Sequence, residues 1–275
     1  MDIRYLDAVR ARNPLVHNIT NIVAAHFSAN GLLAVGASPI MADSVEEMEE
    51  LAAVSAALVI NIGTLASATV QAILLAGKAA NRAGVPVVLD PVGAGVTAFR
   101  RDTVEHLLRE IRFAAIRGNA GEMAQVAGVS WQAKGVDAGS GAAALDEIAA
   151  AVARKHNTVA VVSGAVDYVS DGLKLAVLEN GTPLLPRITT SGCLLSAVCG
   201  AFLGVAAKDD YLHAAVEACT VYAVAGELAA QGLRPTQSGT FTTAFIDSLG
   251  AVTAQQVAAA ARVAWREVPQ TGATA

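Results

Sequence analysis

Short apolar runs, each ending in a polar or charged residue with a glycine within the next three positions, alternate along this chain with longer helical patterns. Ala57-Leu58-Val59-Ile60-Asn61-Ile62-Gly63, Val85-Pro86-Val87-Val88-Leu89-Asp90, Phe113-Ala114-Ala115-Ile116-Arg117-Gly118 and Thr158-Val159-Ala160-Val161-Val162-Ser163-Gly164 are such runs. They are continuously apolar rather than alternating, as parallel strands are when helices cover both faces. Helices are predicted over roughly Ser67 to Ala83 with Gly84 as the stop, Asp102 to Glu110, Gly121 to Ala127 and Ala142 to Lys155. Ser44-Val45-Glu46-Glu47 reads as a capping box that opens a helix to about Val54. Tyr168 to Val169 and Leu173 to Leu178, around Asp171-Gly172, read as an antiparallel hairpin on the sheet edge. Cys193 to Ala206, Tyr211 to Ala230, Thr240 to Leu249 and Thr253 to Val268 make a terminal helical layer. The expected fold is α/β: a three-layer αβα sandwich with a mostly parallel central sheet, in a single domain over residues 1–275.

Composition narrows the classes of function. The net charge is -5 and no basic stripe is visible, which argues against nucleic acid as a main partner. The N-terminus lacks a basic flank with an apolar run behind it, so no signal peptide is expected. The longest uncharged apolar run, Cys193 to Ala207, falls short of the roughly 20 residues that span a bilayer and reads as a buried helix. The three cysteines, Cys193, Cys199 and Cys219, have no CxxC spacing, which fits a reduced, cytoplasmic compartment.

In open parallel sheets, ligands bind outside the carboxyl ends of the strands. Those ends read Asn61-Ile62-Gly63-Thr64, Asp90-Pro91-Val92-Gly93-Ala94-Gly95, Arg117-Gly118-Asn119-Ala120-Gly121-Glu122 and Ser163-Gly164-Ala165. One such ending is ordinary turn chemistry; four on one edge mark a ligand cleft. Asp90 and Glu122 are the acids best placed for a metal such as Mg²⁺, which favours carboxylates with retained waters and substrate phosphates. The plainer alternative is that Asp90 caps a turn before Pro91 and Glu122 sits in a helix's first turn. Arg117 ends an apolar strand and either clamps a phosphate or pairs with Glu122. Ser163 and Gly164 either let a nucleotide approach the backbone or form a plain turn.

The segment Ile188-Thr189-Thr190-Ser191-Gly192-Cys193-Leu194-Leu195-Ser196 leads small hydroxyl residues and a glycine into an apolar helix. A helix N-terminus offers unpaired N–H groups and the positive end of the dipole, so it can hold a phosphate. A thiol placed there is expected to ionise more easily and to serve as a base or nucleophile. Cys199 and Cys219, inside apolar helices, read as small hydrophobes. His17 and His26 lie in a polar N-terminal stretch and are candidates to touch ligand. His106, His156 and His213 fall in helices as surface or satisfied core residues, and the lone Trp131 and Trp265 suggest packing.

The chain resembles the hydroxyethylthiazole kinase family of the ribokinase-like superfamily over nearly its whole length. The resemblance is carried by Pro14-Leu15-Val16-His17-Asn18-Ile19-Thr20-Asn21, Ala29-Asn30, Gly36-Ala37-Ser38-Pro39-Ile40-Met41-Ala42, Asp90-Pro91-Val92-Gly93, Arg117-Gly118-Asn119 with Glu122, Val166-Asp167-Tyr168-Val169-Ser170-Asp171-Gly172, and Ser191-Gly192-Cys193-Leu194-Leu195. It implies transfer of the ATP γ-phosphoryl group to the hydroxyl of 4-methyl-5-(2-hydroxyethyl)thiazole. It also implies a homotrimer with the thiazole near a subunit boundary, while charge and run length lead us to expect no nucleic-acid or membrane partner. By resemblance Asn21, Met41 and Thr190 contact the thiazole, and Arg117, Asn119 and Ser163 contact ATP. Asp90 and Glu122 serve Mg²⁺. Thr189, Thr190, Ser191 and Gly192 form the anion hole, and Cys193, with Gly192, is catalytic. Cys193 stands where most ribokinase-like enzymes carry an aspartate base. Thr190 stands where the family usually has glycine, and a β-branched residue is costly there if the backbone is left-handed.

Other readings rest on less. Gly93-Ala94-Gly95-Val96-Thr97-Ala98 fits GxGxxA after a strand, but Pro91 intervenes and no acid-ended strand follows at the dinucleotide-binding distance. The P-loop pattern GxxxxGK[ST] is absent from the sequence. A non-catalytic member of the fold, or a hydroxymethylpyrimidine or pyridoxal kinase, is the alternative.

Overall fold

The computed structural model describes residues 1–134, 137–141 and 144–269; for 131–134 and 137–141 it describes the backbone alone. Along the chain run α1 (Tyr5–Arg12), β1 (Leu15–Ile19), α2 (Ala25–Val35), β2 (Ser38–Met41), α3 (Met48–Val54), β3 (Ala57–Asn61), α4 (Ser67–Ala83), β4 (Val87–Asp90), α5 (Ala98–Glu110), β5 (Ala115–Asn119) and α6 (Ala120–Ala127). There follow β6 (Trp131–Lys134), β7 (Asp137–Gly141), α7 (Leu145–His156), β8 (Val159–Ser163), β9 (Asp167–Ser170), β10 (Lys174–Leu178), α8 (Ser191–Leu203), α9 (Tyr211–Ala230), α10 (Ser238–Ala251), α11 (Ala254–Ala260) and β11 (Val263–Glu267).

A nine-stranded sheet in the order β11-β10-β9-β8-β5-β4-β3-β1-β2 divides the molecule. β2, β1, β3, β4, β5 and β8 are parallel, and β9, β10 and β11 continue antiparallel. β6 and β7 pair separately as an antiparallel ribbon.

The unbroken apolar strands serve two cores. Val16, Val59, Val88, Ala115 and Val161 pack against α8, α9 and α10. Their neighbours Leu58, Ile60, Leu89, Ile116 and Val162 pack against the helices of the other face, from Met48 through Val152. Successive residues point to opposite faces, so a strand buried on both sides has no place for polarity until its end. The expected three-layer, mostly parallel architecture is the one observed.

Several boundaries differ from the sequence expectation. β1 and β2 were not foreseen: the N-terminal stretch that reads as polar holds a strand, and His17 is buried in it with Nε2 2.9 Å from the Ala42 carbonyl. Burial lowers its pKa. His26 lies on the exposed side of α2 with Asn30. Ser44 makes no capping bond; its hydroxyl donates to Glu46, and a 3₁₀ turn over Val45–Glu47 precedes α3. True capping boxes occur at Asn119/Glu122 and Thr253/Gln256. The β9/β10 pair is not the sheet edge, because Val263–Glu267 is a strand beyond it and not the end of a helix from Thr253. Trp265 in that strand is half exposed and lies over His213, and Trp131 falls outside the described side chains. Ala142 and its neighbour at 143 lie outside the described residues.

The buried carboxylate inside the helical layer is paired. Glu217, buried in apolar α9, accepts the backbone N–H groups of Arg4, Tyr5 and Leu6 at 2.9, 2.7 and 2.7 Å. A carboxylate there satisfies donors that the start of α1 leaves open. Cys199 and Cys219 are buried as expected of small apolar residues. Among the described residues no helix is long and apolar enough to cross a membrane. Phe245 of α10 stacks on Phe241 and meets the Tyr222 ring of α9 edge-on, with centroids 5.7 and 4.8 Å apart. Phe245→Ala is expected to lower unfolding free energy by about 3–5 kcal/mol, read from urea denaturation.

Candidate active site

The order of the parallel strands reverses between β1 and β3, and ligands of open α/β sheets bind at such a switch point. Asn21, just past β1, donates from Nδ2 to Asn61 Oδ1 at the end of β3, 2.8 Å away. Asn61 in turn donates from Nδ2 to Asp90 Oδ2 at the end of β4, at 2.7 Å. Ser196 of α8 donates to the same oxygen at 2.9 Å. Arg117 of β5 stands 3.9 Å from it through Nη1, and its Nη2 donates to Ser163 Oγ of β8 at 2.5 Å. Thus side chains from the ends of five parallel strands, β1, β3, β4, β5 and β8, form one connected row.

Asp90 is fully buried, and its other oxygen, Oδ1, has no protein partner. Burial raises its pKa to about 7, against the pull of Arg117 and with the push of Glu122. It does not cap the turn before Pro91; its side-chain partners are Asn61, Ser196 and Arg117. Arg117 pairs with Asp90 rather than by direct contact with Glu122. Burial works against its charge, but the Asp90 and Glu122 carboxylates outweigh that and hold the guanidinium protonated. Its buried Nε lacks a partner.

Glu122 is held in place by backbone. One oxygen accepts the Gly93 N–H at 2.9 Å and the other the Asn119 N–H at 2.8 Å. Asn119 Oδ1 accepts the Glu122 N–H at 3.0 Å, completing the capping box. Burial raises the Glu122 pKa and the two N–H donors oppose it. The plain first-turn role is therefore real, and it also fixes a carboxylate beside Asp90. These carboxylates, with the orphaned Asp90 Oδ1, are the donor set that suits a Mg²⁺ ion carrying its own waters and substrate phosphates.

The start of α8 faces this row. Thr190 caps it without a side-chain bond and in the left-handed conformation, φ 66° and ψ 7°. The position does require the backbone that glycine adopts freely, and threonine bears it at a cost of order 1–3 kcal/mol. Ser191 Oγ donates to the Leu185 carbonyl at 2.8 Å, and Tyr222 Oη donates to the Ser191 carbonyl at 2.5 Å. A Cβ added to Gly192 would lie 2.6 Å from Arg117 Nη1. Glycine is thus what lets the guanidinium rest on the first turn, whose N–H groups have no acceptor within the helix. Thr189 is exposed beside this turn.

Cys193 accepts from Asn21 Nδ2 at 3.4 Å. The expectation of an easily ionised thiol is overturned: burial and the Asp90 charge raise its pKa to about 11. Met41 ends β2 in register with Asn18. It shares the sheet edge with the rest, two strands from Asn61.

Sequence reasoning missed several members. Asn61 was read only as a strand end, although it bridges Asn21 to Asp90. Ser196 lies three residues past Cys193, the spacing that returns a helical side chain to the same face. Asp167, buried in β9, accepts the Gly164 N–H at 2.8 Å, and burial pushes its pKa to about 6. At the opposite, amino-terminal edge of the sheet lies a 560 Å³ cleft lined by Lys78, Arg82, Arg109, Arg112 and Lys155. Cations there complement the carboxyl ends of α4, α5 and α7.

The fold is that of ribokinase-like proteins. A ribokinase-like superfamily protein from Enterococcus faecalis superposes with a TM-score of 0.61 at 10% identity, over 88% of this chain and 89% of that one. The relationship is closer within one branch. The profile described as "HK: Hydroxyethylthiazole kinase family" matches residues 6–255. A hydroxyethylthiazole kinase from Histophilus somni is 60% identical over 96% of this chain and 100% of its own. One from Listeria monocytogenes is 56% identical over 95% and 97%. The solved hydroxyethylthiazole kinase of Pyrococcus horikoshii matches with a TM-score of 0.86 and 37% identity, covering 97% of this chain and 98% of that one. The chain belongs to the hydroxyethylthiazole kinase family.

A neutral Cys193 thiol has a chemical signature. Its alkylation by iodoacetamide is expected to be slow at pH 7 and to rise about tenfold per pH unit through pH 10, followed by peptide mass spectrometry. A rate that levels off near pH 8 would mean an acidified thiol.

Proposed function

We propose that this chain works as one kinase domain that transfers the γ-phosphoryl group of ATP to the hydroxyl of 4-methyl-5-(2-hydroxyethyl)thiazole. The observation that carries this reading is the connected row from Asn21 through Asn61 to Asp90 and Arg117, with the start of α8 facing it. The row joins an acceptor end, around Asn21 and Cys193, to a phosphate end, around Arg117, Ser163, Asn119 and Glu122. Met41, Thr190 and Asn21 bound the acceptor; Asn21 keeps Cys193 oriented and is itself fixed by Asn61. The names of the 56–60% identical relatives point to the thiazole alcohol over other acceptors.

Phosphoryl transfer demands alignment and charge neutralisation more than covalent chemistry. Arg117 neutralises the nucleotide phosphates, and Ser163 fixes its guanidinium. The N–H groups of Ser191, Gly192 and Cys193, with Thr189 and Thr190 shaping the turn, meet the charge that develops on the transferred group. Cys193, a neutral thiol at pH 7, orients the acceptor hydroxyl, whose proton leaves late in a loose transition state and passes to an oxygen of the transferred phosphoryl group. Asp90 and Glu122 would hold Mg²⁺, which when bound neutralises phosphate charge.

The same reading extends to assembly. Ile22, Val23 and Leu33 are 82, 58 and 60% exposed beside the Asn21 turn and on α2. An apolar surface there suits a homotrimer with neighbouring copies meeting near the acceptor end. Sedimentation equilibrium is expected to give three times the chain mass. Three free cysteines suit a reduced compartment such as the cytoplasm.

ADP release from Mg-ATP is expected with the thiazole alcohol, far above that with hydroxymethylpyrimidine or pyridoxal. Equal turnover with all three would move the acceptor assignment. Cys193→Ser is expected to slow kcat by roughly tenfold without abolishing it. Gly192→Val, which drives a side chain into Arg117, is expected to cost at least about 100-fold. A normal rate for Gly192→Val would remove the anion hole from the reaction.

A further inference from the structure

Arg100 occupies the third position of α5, where a cation runs against the positive end of the helix dipole. Its guanidinium is turned away from the helix and into the carboxyl edge of the sheet. Nη1 donates to the carbonyls of Ile62 and Val92, both at 2.6 Å, and Nη2 donates to the carbonyl of Gly63 at 2.7 Å. One side chain thus gathers three carbonyls from two loops, the one after β3 and the one after β4.

Each loop leads directly to one half of the site. Gly63 lies against Asn21: a Cβ added there would be 2.7 Å from Asn21 Nδ2. The Gly63 N–H also donates to Asn61 Oδ1 at 2.9 Å, the oxygen that receives Asn21. Val92 precedes Gly93, whose N–H donates to Glu122. Three carbonyls converging without a cation would repel one another and seek water. We propose that Arg100 is a positioning residue for phosphoryl transfer, a clamp that sets the spacing between the acceptor end at Asn21 and the carboxylate end at Glu122.

The inference rests on the kinase reading, and its test separates the two. Arg100→Ala and Arg100→Lys are compared with the parent chain for kcat, for KM of ATP and of the thiazole alcohol, and for Tm. A misplacement between reacting ends falls on kcat, so Arg100→Ala is expected to lose roughly 100-fold in kcat, with each KM within about threefold. Methylguanidinium added at millimolar concentration is expected to restore part of that kcat, with no gain for the parent chain. Arg100→Lys keeps one donor group but not the planar fork, and is expected to fall between the two, which keeps the test open if the alanine variant is unstable. Amide exchange at Gly63 and Gly93 supplies a readout independent of turnover: both are expected to exchange faster in either variant while β3 and β4 stay protected. A lowered Tm with kcat within twofold, or unchanged exchange at both glycines, would overturn the clamp and leave Arg100 a brace for stability alone. A parent chain without thiazole-dependent turnover would count against the kinase reading, and the exchange result would still decide the clamp.

Discussion

The buried carboxylate of Asp90 is the group on which this site is organised. A charge without solvent must be matched by fixed partners. Here they come from Asn61 on one side, Ser196 above and Arg117 on the other. Each partner carries a further duty: Asn61 holds Asn21, Ser196 seats the second turn of α8, and Arg117 packs on Gly192 and reaches Ser163. The positions of the acceptor end, the helix terminus and the nucleotide end are all measured from one side chain. The whole fold is arranged to make that burial possible, since β4 lies inside the nine-stranded sheet, with strands on both sides and apolar layers above and below.

Much of this was legible in the sequence, for reasons that can be stated. Helix α4 and helix α9 match their expected limits at Ser67–Ala83 and Tyr211–Ala230, because a long periodic pattern with clear stops leaves little freedom. The strand cores were legible because parallel strands buried on both faces are apolar without interruption. The N-terminal strand was not. His17 and Asn18 sit buried in β1, where His17 Nε2 meets the Ala42 carbonyl and Asn18 Nδ2 donates to the Val16 carbonyl, so the segment looks polar while being buried. The C-terminal strand was hidden for the converse reason: Val263–Glu267 is exposed and short and follows a helical pattern without a glycine stop.

The site shows the same division. Asp90, Arg117, Ser163 and Cys193 were visible because charged, hydroxyl or thiol groups at the ends of apolar runs are conspicuous. Asn61 and Ser196 were not, because neutral polar residues at strand ends and within helices have many ordinary uses, and only the three-dimensional partner tells them apart. The Cys193 thiol is the instructive error. Proximity to a helix N-terminus lowers a thiol's pKa, but burial raises it. Here the walls that exclude water from the transfer reaction also keep the sulfur protonated.

The two borders of the sheet carry a further consequence. β2 contains Pro39, which has no N–H to offer a new strand. β11 ends in the exposed charges of Arg266 and Glu267. Open sheets are templates for runaway growth, and these are the usual means of blunting them. Backbone pairing through either border is therefore disfavoured, which leaves side-chain surfaces, and not backbone ladders, as the ground on which any second chain can be met.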